Sequence, residues 1–211
     1  MNVVSKAWQS STHLFDPVQY FFNGNFWEVF CRRFSRYTNG KVIDLACGTG
    51  EMRNWIKPES YLGVDLNRSY IRYAKKRYAK KDTDFLVGDI TKVKLNKRLS
   101  TAFIVSAVHH LSDKQLKDTF KNLKRQGIRN IVIVDGYPRW PFTTVLSWLD
   151  AVLAGGKYFR KENEIASLVK TFYKVKSKGK FFAKRSFYFY PFVIATYEKR
   201  QLAPNRRAKT L

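Results

Sequence analysis

The sequence predicts an α/β fold: a doubly wound, mostly parallel sheet with helices on both faces and an antiparallel hairpin at one edge. Three observations predict it. Short apolar runs alternate with helical patterns between residues 41 and 134. The first run, Val42-Ile43-Asp44-Leu45, enters Ala46-Cys47-Gly48-Thr49-Gly50 and a helical pattern follows at once, as when a buried strand feeds a tight turn. Residues 172–197 hold two Tyr-, Phe- and Val-rich runs in succession with no helical pattern between them.

The elements follow in order. Residues 1–40 carry an aromatic stripe of Val18, Phe21, Phe22, Phe26, Trp27, Val29, Phe30 and Phe34, interrupted at Asn23-Gly24-Asn25. Two helices joined at Gly24 fit that spacing. The stripe is either core packing or a lid over the glycine turn. Lys41–Ala46 reads as a buried strand, and Glu51–Ile56 starts a helix that Pro58 ends. Ser60–Asp65 is a second strand closing on an acid. Asn67 caps a helix whose inner face holds Ile71, Ala74 and Tyr78. Asp84–Val87 is a third strand, followed by Gly88-Asp89-Ile90 and a polar, basic loop over 91–100.

Thr101–Ala107 reads as a fourth strand, ending at Val108-His109-His110-Leu111. Ser112 caps the next helix, with Leu116, Phe120 and Leu123 on one face. Asn130–Val134 is a fifth strand and closes in Asp135-Gly136-Tyr137-Pro138. Phe142 to Leu153 has helical spacing up to Gly155-Gly156, and 161–171 form a shorter helix. Beyond Lys199 the tail is basic and reads as disordered. One domain over 1–199 is expected, with 1–40 as its helical lid and 200–211 as the tail; 211 residues suffice for a core without staples.

Composition narrows the partners. Forty Lys and Arg against sixteen Asp and Glu give a net charge of +24, which attracts nucleic acid, anionic membrane or phosphorylated substrates. Ordinary solvation of a lysine-rich surface explains the same count, so both readings stand. Basic clusters fall at Arg72–Lys81, Lys92–Arg98, Lys174–Lys184 and Lys199–Lys209. Cys31 and Cys47 are the two cysteines, which implies a reducing compartment, no disulfide framework and no structural zinc. No secretory h-region or membrane-length apolar run is found, so a cytoplasmic protein is expected, soluble or peripheral to a membrane.

In such sheets ligands bind outside the carboxyl ends of the strands. Asp44 with its turn, Asp65, Asp89 and His109-His110 all stand at predicted ends. A dinucleotide site wants a third glycine where Arg53 stands, and no Lys-Ser/Thr follows the turn as a P-loop needs. An adenosine bearing an amino acid fits better. Asp44 would face its ammonium, turn amides its carboxylate, Asp65 its ribose hydroxyls. Asp89 would take the adenine amine, with Ile90 against the ring.

Over residues 40–137 the chain resembles the class I S-adenosylmethionine-dependent methyltransferases. The family's glycine motif matches Asp44-Leu45-Ala46-Cys47-Gly48-Thr49-Gly50, with Ala46 where the family often has its first glycine. Its ribose-binding acid matches Asp65 in Gly63-Val64-Asp65-Leu66-Asn67, and its adenine-side acid matches Asp89 in Gly88-Asp89-Ile90. Its fourth-strand motif matches Ile104-Val105-Ser106-Ala107-Val108-His109-His110-Leu111, in a form similar to small-molecule methyltransferases. The stretch 91–100 departs from the family, being too short and polar for the helix usual there. The resemblance implies a Rossmann-like sheet of seven strands and S-adenosyl-L-methionine as cofactor, with no metal. It implies a cofactor site at Asp44, Ala46, Gly48, Thr49, Gly50, Asp65, Leu66, Asp89, Ile90 and Ser106.

Methyl transfer needs alignment, and a base where the acceptor atom carries a proton. His109 and His110 are the candidate catalytic residues; the alternative is that one of them only packs and caps the next helix. Tyr20, Tyr137 and Trp140 are candidate pocket walls, and His13 reads as structural. No Asn/Asp-Pro-Pro-aromatic stretch marks an adenine-amino enzyme, and neither cysteine suits cytosine-C5 chemistry. Leu149-Asp150 to Gly156, Arg160, Glu164 and Tyr190-Pro191 are similar to bacterial methyltransferases of glycan and lipid pathways. An O- or N-methyltransferase of a small-molecule or lipid-associated acceptor is the leading expectation. An RNA methyltransferase and a non-catalytic cofactor-binding scaffold are the alternatives.

Overall fold

The computed structural model describes residues 21–96, 98–138 and 156–197. Its elements are α1 (Phe26–Thr38), β1 (Lys41–Leu45), α2 (Glu51–Trp55), β2 (Ser60–Asp65), α3 (Arg68–Tyr78), β3 (Thr83–Val87) and β4 (Thr101–Val105). After a 3-10 turn at Val108–His110 come α4 (Asp113–Arg125), β5 (Asn130–Val134), β6 (Tyr137–Pro138), α5 (Glu162–Val169), β7 (Lys174–Phe182) and β8 (Tyr188–Thr196). The predicted elements within these ranges are all present, with ends shifted by a residue or two. The predicted helix over Phe142–Leu153, residues 1–20 and the basic tail lie outside the described residues.

The strands run in the order β3-β2-β1-β4-β5-β8, with β7 on the far side of β8. β1 to β5 are mutually parallel, and β8 lies antiparallel to β5 and β7. The sheet has eight strands rather than seven because the two-residue β6 extends the line of β5. It pairs Tyr137 with Phe189 beyond a break at Asp135-Gly136.

Side chains alternate across the sheet and build two cores. Ile43, Leu45, Leu62, Val64, Ile104, Ile131 and Ile133 face α4 and α5, packing with Leu116, Phe120, Leu123 and Ile165. Val42, Tyr61, Phe103, Val132 and Val134 face the other way, onto Phe26, Phe30 and Phe34 of α1 and Met52, Ile71 and Ala74. In the described part of the aromatic stripe Phe26, Phe30 and Phe34 are buried in this core, whereas Phe21 is exposed. Caps fall where expected. Asn67 Oδ1 accepts from the amides of Ser69 and Tyr70, and Ser112 forms a capping box with Gln115. Among the described residues of the stretch 91–100 there is no helix, and it is not wholly polar in role, since Val93 and Leu99 are buried.

Candidate functional site

The parallel strands bring their carboxyl ends to one edge. Along it stand Asp89 after β3, Asp65 at the end of β2, the glycine turn after β1, Ser106 and His109 after β4, and Asp135 after β5. The turn is held at its centre: the Gly48 amide donates to Asp65 Oδ2 at 2.8 Å, and the Asn67 amide donates to Oδ1 of the same carboxylate at 2.8 Å. Burial pushes the Asp65 carboxyl up, and the amides of Asn67, Gly48 and Leu66 oppose that shift.

The two glycines do different work. A Cβ on Gly48, whose φ is +53°, would meet nothing within 4 Å, so this backbone borders open space. A Cβ on Gly50 (φ +81°) would lie 2.8 Å from the Phe85 ring and 3.1 Å from Ala74 Cβ. Gly50 is thus a packing requirement, and Gly48 is where a ligand can approach. Ala46 takes a φ of 57° and Ser106 a φ of 51°, so β1 and β4 are each followed by a left-handed residue that is not glycine. The helix after the turn is a weaker anion site than the sequence implies. α2 has five residues, and Glu51 stands in its first turn, bonded by Trp55 Nε1 and the Tyr78 hydroxyl. Arg53, in place of a third glycine, is buried and donates to Thr83 Oγ1 and the Ile56 carbonyl.

Asp44 lies on the α1 side of the sheet, 3% exposed, where the Tyr61 hydroxyl donates to it at 2.6 Å. Desolvation raises its carboxyl to about 7 against that hydrogen bond, and the Asp65 charge adds to the rise. A buried acid poised there suits a cationic ligand group. Leu66, beside Asp65, is 70% exposed, an apolar surface at the mouth of the turn. Asp89 Oδ1 accepts from the Thr91 amide and hydroxyl, and Lys92 Nζ lies 3.5 Å from Oδ2. Desolvation works against ionisation, but the Thr91 bonds and Lys92 together hold this carboxyl below its usual range. Thr49 and Ile90 turn inward, at 2% and 5% exposure, and Ile90 packs in the α4-side core.

His109 is buried and its Nδ1 lies 2.8 Å from Asp135 Oδ1. In the tautomer that carries its proton on Nδ1, His109 donates to that oxygen and the ring lone pair lies on Nε2. Asp135 is buried and, among the described residues, its Oδ2 has no hydrogen-bond partner. Asp135 is absent from the residues that the sequence reading picks out. The signal was there: it follows Val134 at a strand end, as Asp65 ends β2. Phe159 stacks on the His109 ring at 5.2 Å, and the His109 carbonyl accepts from the amides of Lys157 and Tyr158. Arg160 clamps this turn. Its guanidinium donates to the carbonyls of Val108, Leu111 and Tyr158 and, through Nε and Nη2, to Asp113 Oδ1. His110 is exposed, with its ring 4.0 Å from that of His109. Tyr137 lies on β6 just past Asp135, whereas Tyr20, Trp140 and His13 fall outside the described residues.

A groove on the opposite edge, lined by Lys41, Glu59, Ser60, Lys80, Lys81, Asp82 and Arg98, lies at the amino ends of the strands. Its Lys41–Glu59 and Lys80–Asp82 pairs are surface ion pairs. Among the described residues no group of His, Cys, Asp and Glu is arranged to hold a metal.

The sheet order, with its glycine turn after β1, is that of the Rossmann-like methyltransferase fold. Residues 42–126 match the family model described as a methyltransferase domain. A 65-residue stretch is 38% identical to the protein named "Putative methyltransferase 235L" of Invertebrate iridescent virus 6. That stretch covers 29% of this chain and 24% of the viral protein, so the curated relative is matched over about a quarter of its length. Among solved structures, a SAM-dependent methyltransferase from Aquifex aeolicus is similar with a TM-score of 0.63 and 18% identity, over 89% of this chain and 97% of that one. The magnesium protoporphyrin IX methyltransferase of Synechocystis PCC 6803, solved with bound SAH, gives 0.59 and 15%, over 90% and 84%. The structure titled "Complex between the Haloferax volcanii Trm112 methyltransferase activator and the putative methyltransferase" gives 0.68 and 12%, over 93% and 99%.

Proposed function

We propose that this protein is an S-adenosyl-L-methionine-dependent methyltransferase acting on a protic O or N of a small or lipid-linked acceptor. The observation that carries the reading is the Asp65 carboxylate fixed between the Gly48 and Asn67 amides, beside backbone open at Gly48. When bound, the cofactor supplies a methyl group on a positively charged sulfur, an electrophile that needs only an aligned nucleophile. Asp65 keeps lone pairs for two ribose hydroxyls after accepting its two amides. Leu66 offers an apolar face to the adenine, and Asp89 a held acceptor for its amine. The turn backbone at Ala46, Gly48 and Ser106 lines the approach. Thr49, Gly50 and Ile90 support it from within. Asp44 places negative charge beneath the ammonium.

On the acceptor side, His109 takes the proton that leaves the acceptor atom, at Nε2. Asp135 holds the ring in one tautomer and stabilises the charge it gains. Arg160 and Phe159 fix the turn that carries it. His110, exposed beside it, borders the acceptor.

The test is release of S-adenosylhomocysteine from the cofactor over an extract separated into lipids, small metabolites and RNA. Turnover with the lipid or metabolite fraction is expected. Turnover confined to RNA would move the acceptor to RNA, the reading that the net charge of +24 favours. No turnover with any fraction would contradict the assignment.

A further inference from the structure

The basic cluster Lys174–Lys184 and the phenylalanines around it are not used by the chemistry above. β7 pairs only with β8 among the described strands, and it carries Lys174, Lys176, Lys178 and Lys180. Lysines on an edge strand commonly guard against pairing with other chains. Exposed aromatics beside them do the opposite, and here they are concentrated. Phe21 is 70% exposed and Phe182 is 50% exposed; no other phenylalanine among the described residues is exposed to that degree.

These aromatic groups lie at the same end of the β7–β8 hairpin, the end that carries its turn. Phe182 lies against Phe189 across the hairpin, ring centres 4.2 Å apart, with Lys180 Nζ 5.3 Å from the Phe189 ring. Past them the β7–β8 turn holds Lys184 and Arg185, and Phe187 packs with Phe21 and Phe22. The tip is built firmly. Asn25 bonds both backbone groups of Lys184, the Phe187 amide donates to the Phe22 carbonyl, and a Cβ on Gly24 would sit 2.0 Å from the Lys184 carbonyl oxygen.

Topology sets where the tip points. β8 is antiparallel to β5, Val134 pairs with Phe192, and Tyr137 pairs with Phe189. The start of β8 and the end of β7 therefore extend past the carboxyl edge, on the side of Asp135 and His109.

We propose that this hairpin tip docks the protein on an anionic phospholipid bilayer. Phe21 and Phe182 enter the boundary between headgroups and acyl chains, and Lys180, Lys184 and Arg185 meet the anionic headgroups. The docking brings the acceptor side of the sheet edge to the membrane surface. It rests on the reading above only in that a lipid-linked acceptor gives it a purpose. The rings favour lipid over nucleic acid: Phe21 and Phe22 meet at 81° and Phe22 and Phe187 at 66°, so a ring edge abuts a neighbour's face and the rings do not stand as a parallel base-stacking platform. Among the described residues no helix is long and apolar enough to cross a membrane.

The test is cosedimentation of the full chain with vesicles of equal phosphatidylcholine and phosphatidylglycerol, and with phosphatidylcholine alone. Anionic vesicles should bind at least about tenfold tighter than neutral ones. The paired variant Phe21→Ser, Phe182→Ser should bind anionic vesicles at least about tenfold more weakly. A second variant, Lys184→Glu with Arg185→Glu, should lose most of the salt dependence. Unchanged vesicle affinity in both variants would overturn the proposal. So would a larger loss of affinity for a single-stranded oligouridylate than for vesicles, which would assign the patch to RNA. Cofactor titration of the same samples separates the two readings. In the unsubstituted chain, cofactor binding without binding to anionic vesicles overturns the docking alone; vesicle binding without cofactor binding overturns the methyltransferase reading and leaves the docking supported.

Discussion

The two halves of the carboxyl edge are built differently. From β1 to β3 the site rests on short-range contacts: Asp65 reaches the Gly48 amide 17 residues back and the Asn67 amide two residues on. From β4 onward it rests on long-range ones, His109 to Asp135 across 26 residues and Arg160 to Asp113 across 47. The first half can be recognised from a motif, whereas the second half exists only once the strands are ordered. The match to the methyltransferase domain ends at residue 126, before Asp135 and Arg160 are reached.

If the halves are separable, damage to one should spare the other. The largest effect is expected at His109→Gln, which keeps a hydrogen-bond donor but no base. Turnover should fall by about 100-fold or more while cofactor affinity stays within about twofold. A matching loss of cofactor affinity would join the halves. Arg160→Lys comes next. Lysine cannot reproduce the fork that holds three carbonyls and Asp113, so a loss of about 2–4 kcal/mol is expected. Thermal unfolding should show it as a fall in Tm of several degrees, with cofactor affinity again little changed.

Asp44 sharpens the other side of the comparison. Its carboxyl sits at about 7 in the fold, against roughly 3.9 in an unfolded chain. Below about pH 4 both states hold the proton and there is no penalty. The penalty grows as pH rises toward 7 and is complete above it. Asp44→Asn should therefore raise stability at pH 8, by on the order of 2 kcal/mol, and leave it nearly unchanged at pH 4. Cofactor affinity of the wild-type protein should fall as pH drops below about 7, where the ammonium would lose its counter-charge. The smallest effect is expected at the two left-handed residues. Ala46→Gly and Ser106→Gly should each stabilise by at most about 1 kcal/mol, one on either side of the divide. Differential scanning calorimetry reads both.

Much of the fold was legible because apolar alternation and caps are local. The runs at Val42–Leu45 and Ile131–Val134, and the caps Asn67 and Ser112, all stand where the pattern put them. Of the site, the acids at 44, 65 and 89 were legible as strand-end residues beside a glycine turn. What could not be read depends on contacts that spacing does not encode. The sequence shows Gly50 as one more ligand glycine, yet the Phe85 ring, 35 positions on, is what requires it. It shows a helix after the turn but not that the helix stops at Trp55 with Glu51 already engaged. Ile90 reads as a wall for a ring, and the fold adds that it packs in the α4-side core, which spacing does not show. Asp135 and Arg160 gain their meaning only from the order β4-β5-β8 and from the loop that returns to His109.

The claim beneath all of this is that one sheet edge holds a sulfonium nucleoside around Asp65. Calorimetric titration of the full chain with S-adenosyl-L-methionine, set beside Asp65→Ala, tests it most directly. The account predicts saturable one-to-one binding that weakens by about 100-fold in the variant, from lost charge-assisted hydrogen bonds, with the melting transition still cooperative. No saturable heat from the wild-type protein, or equal affinity in both, would contradict it.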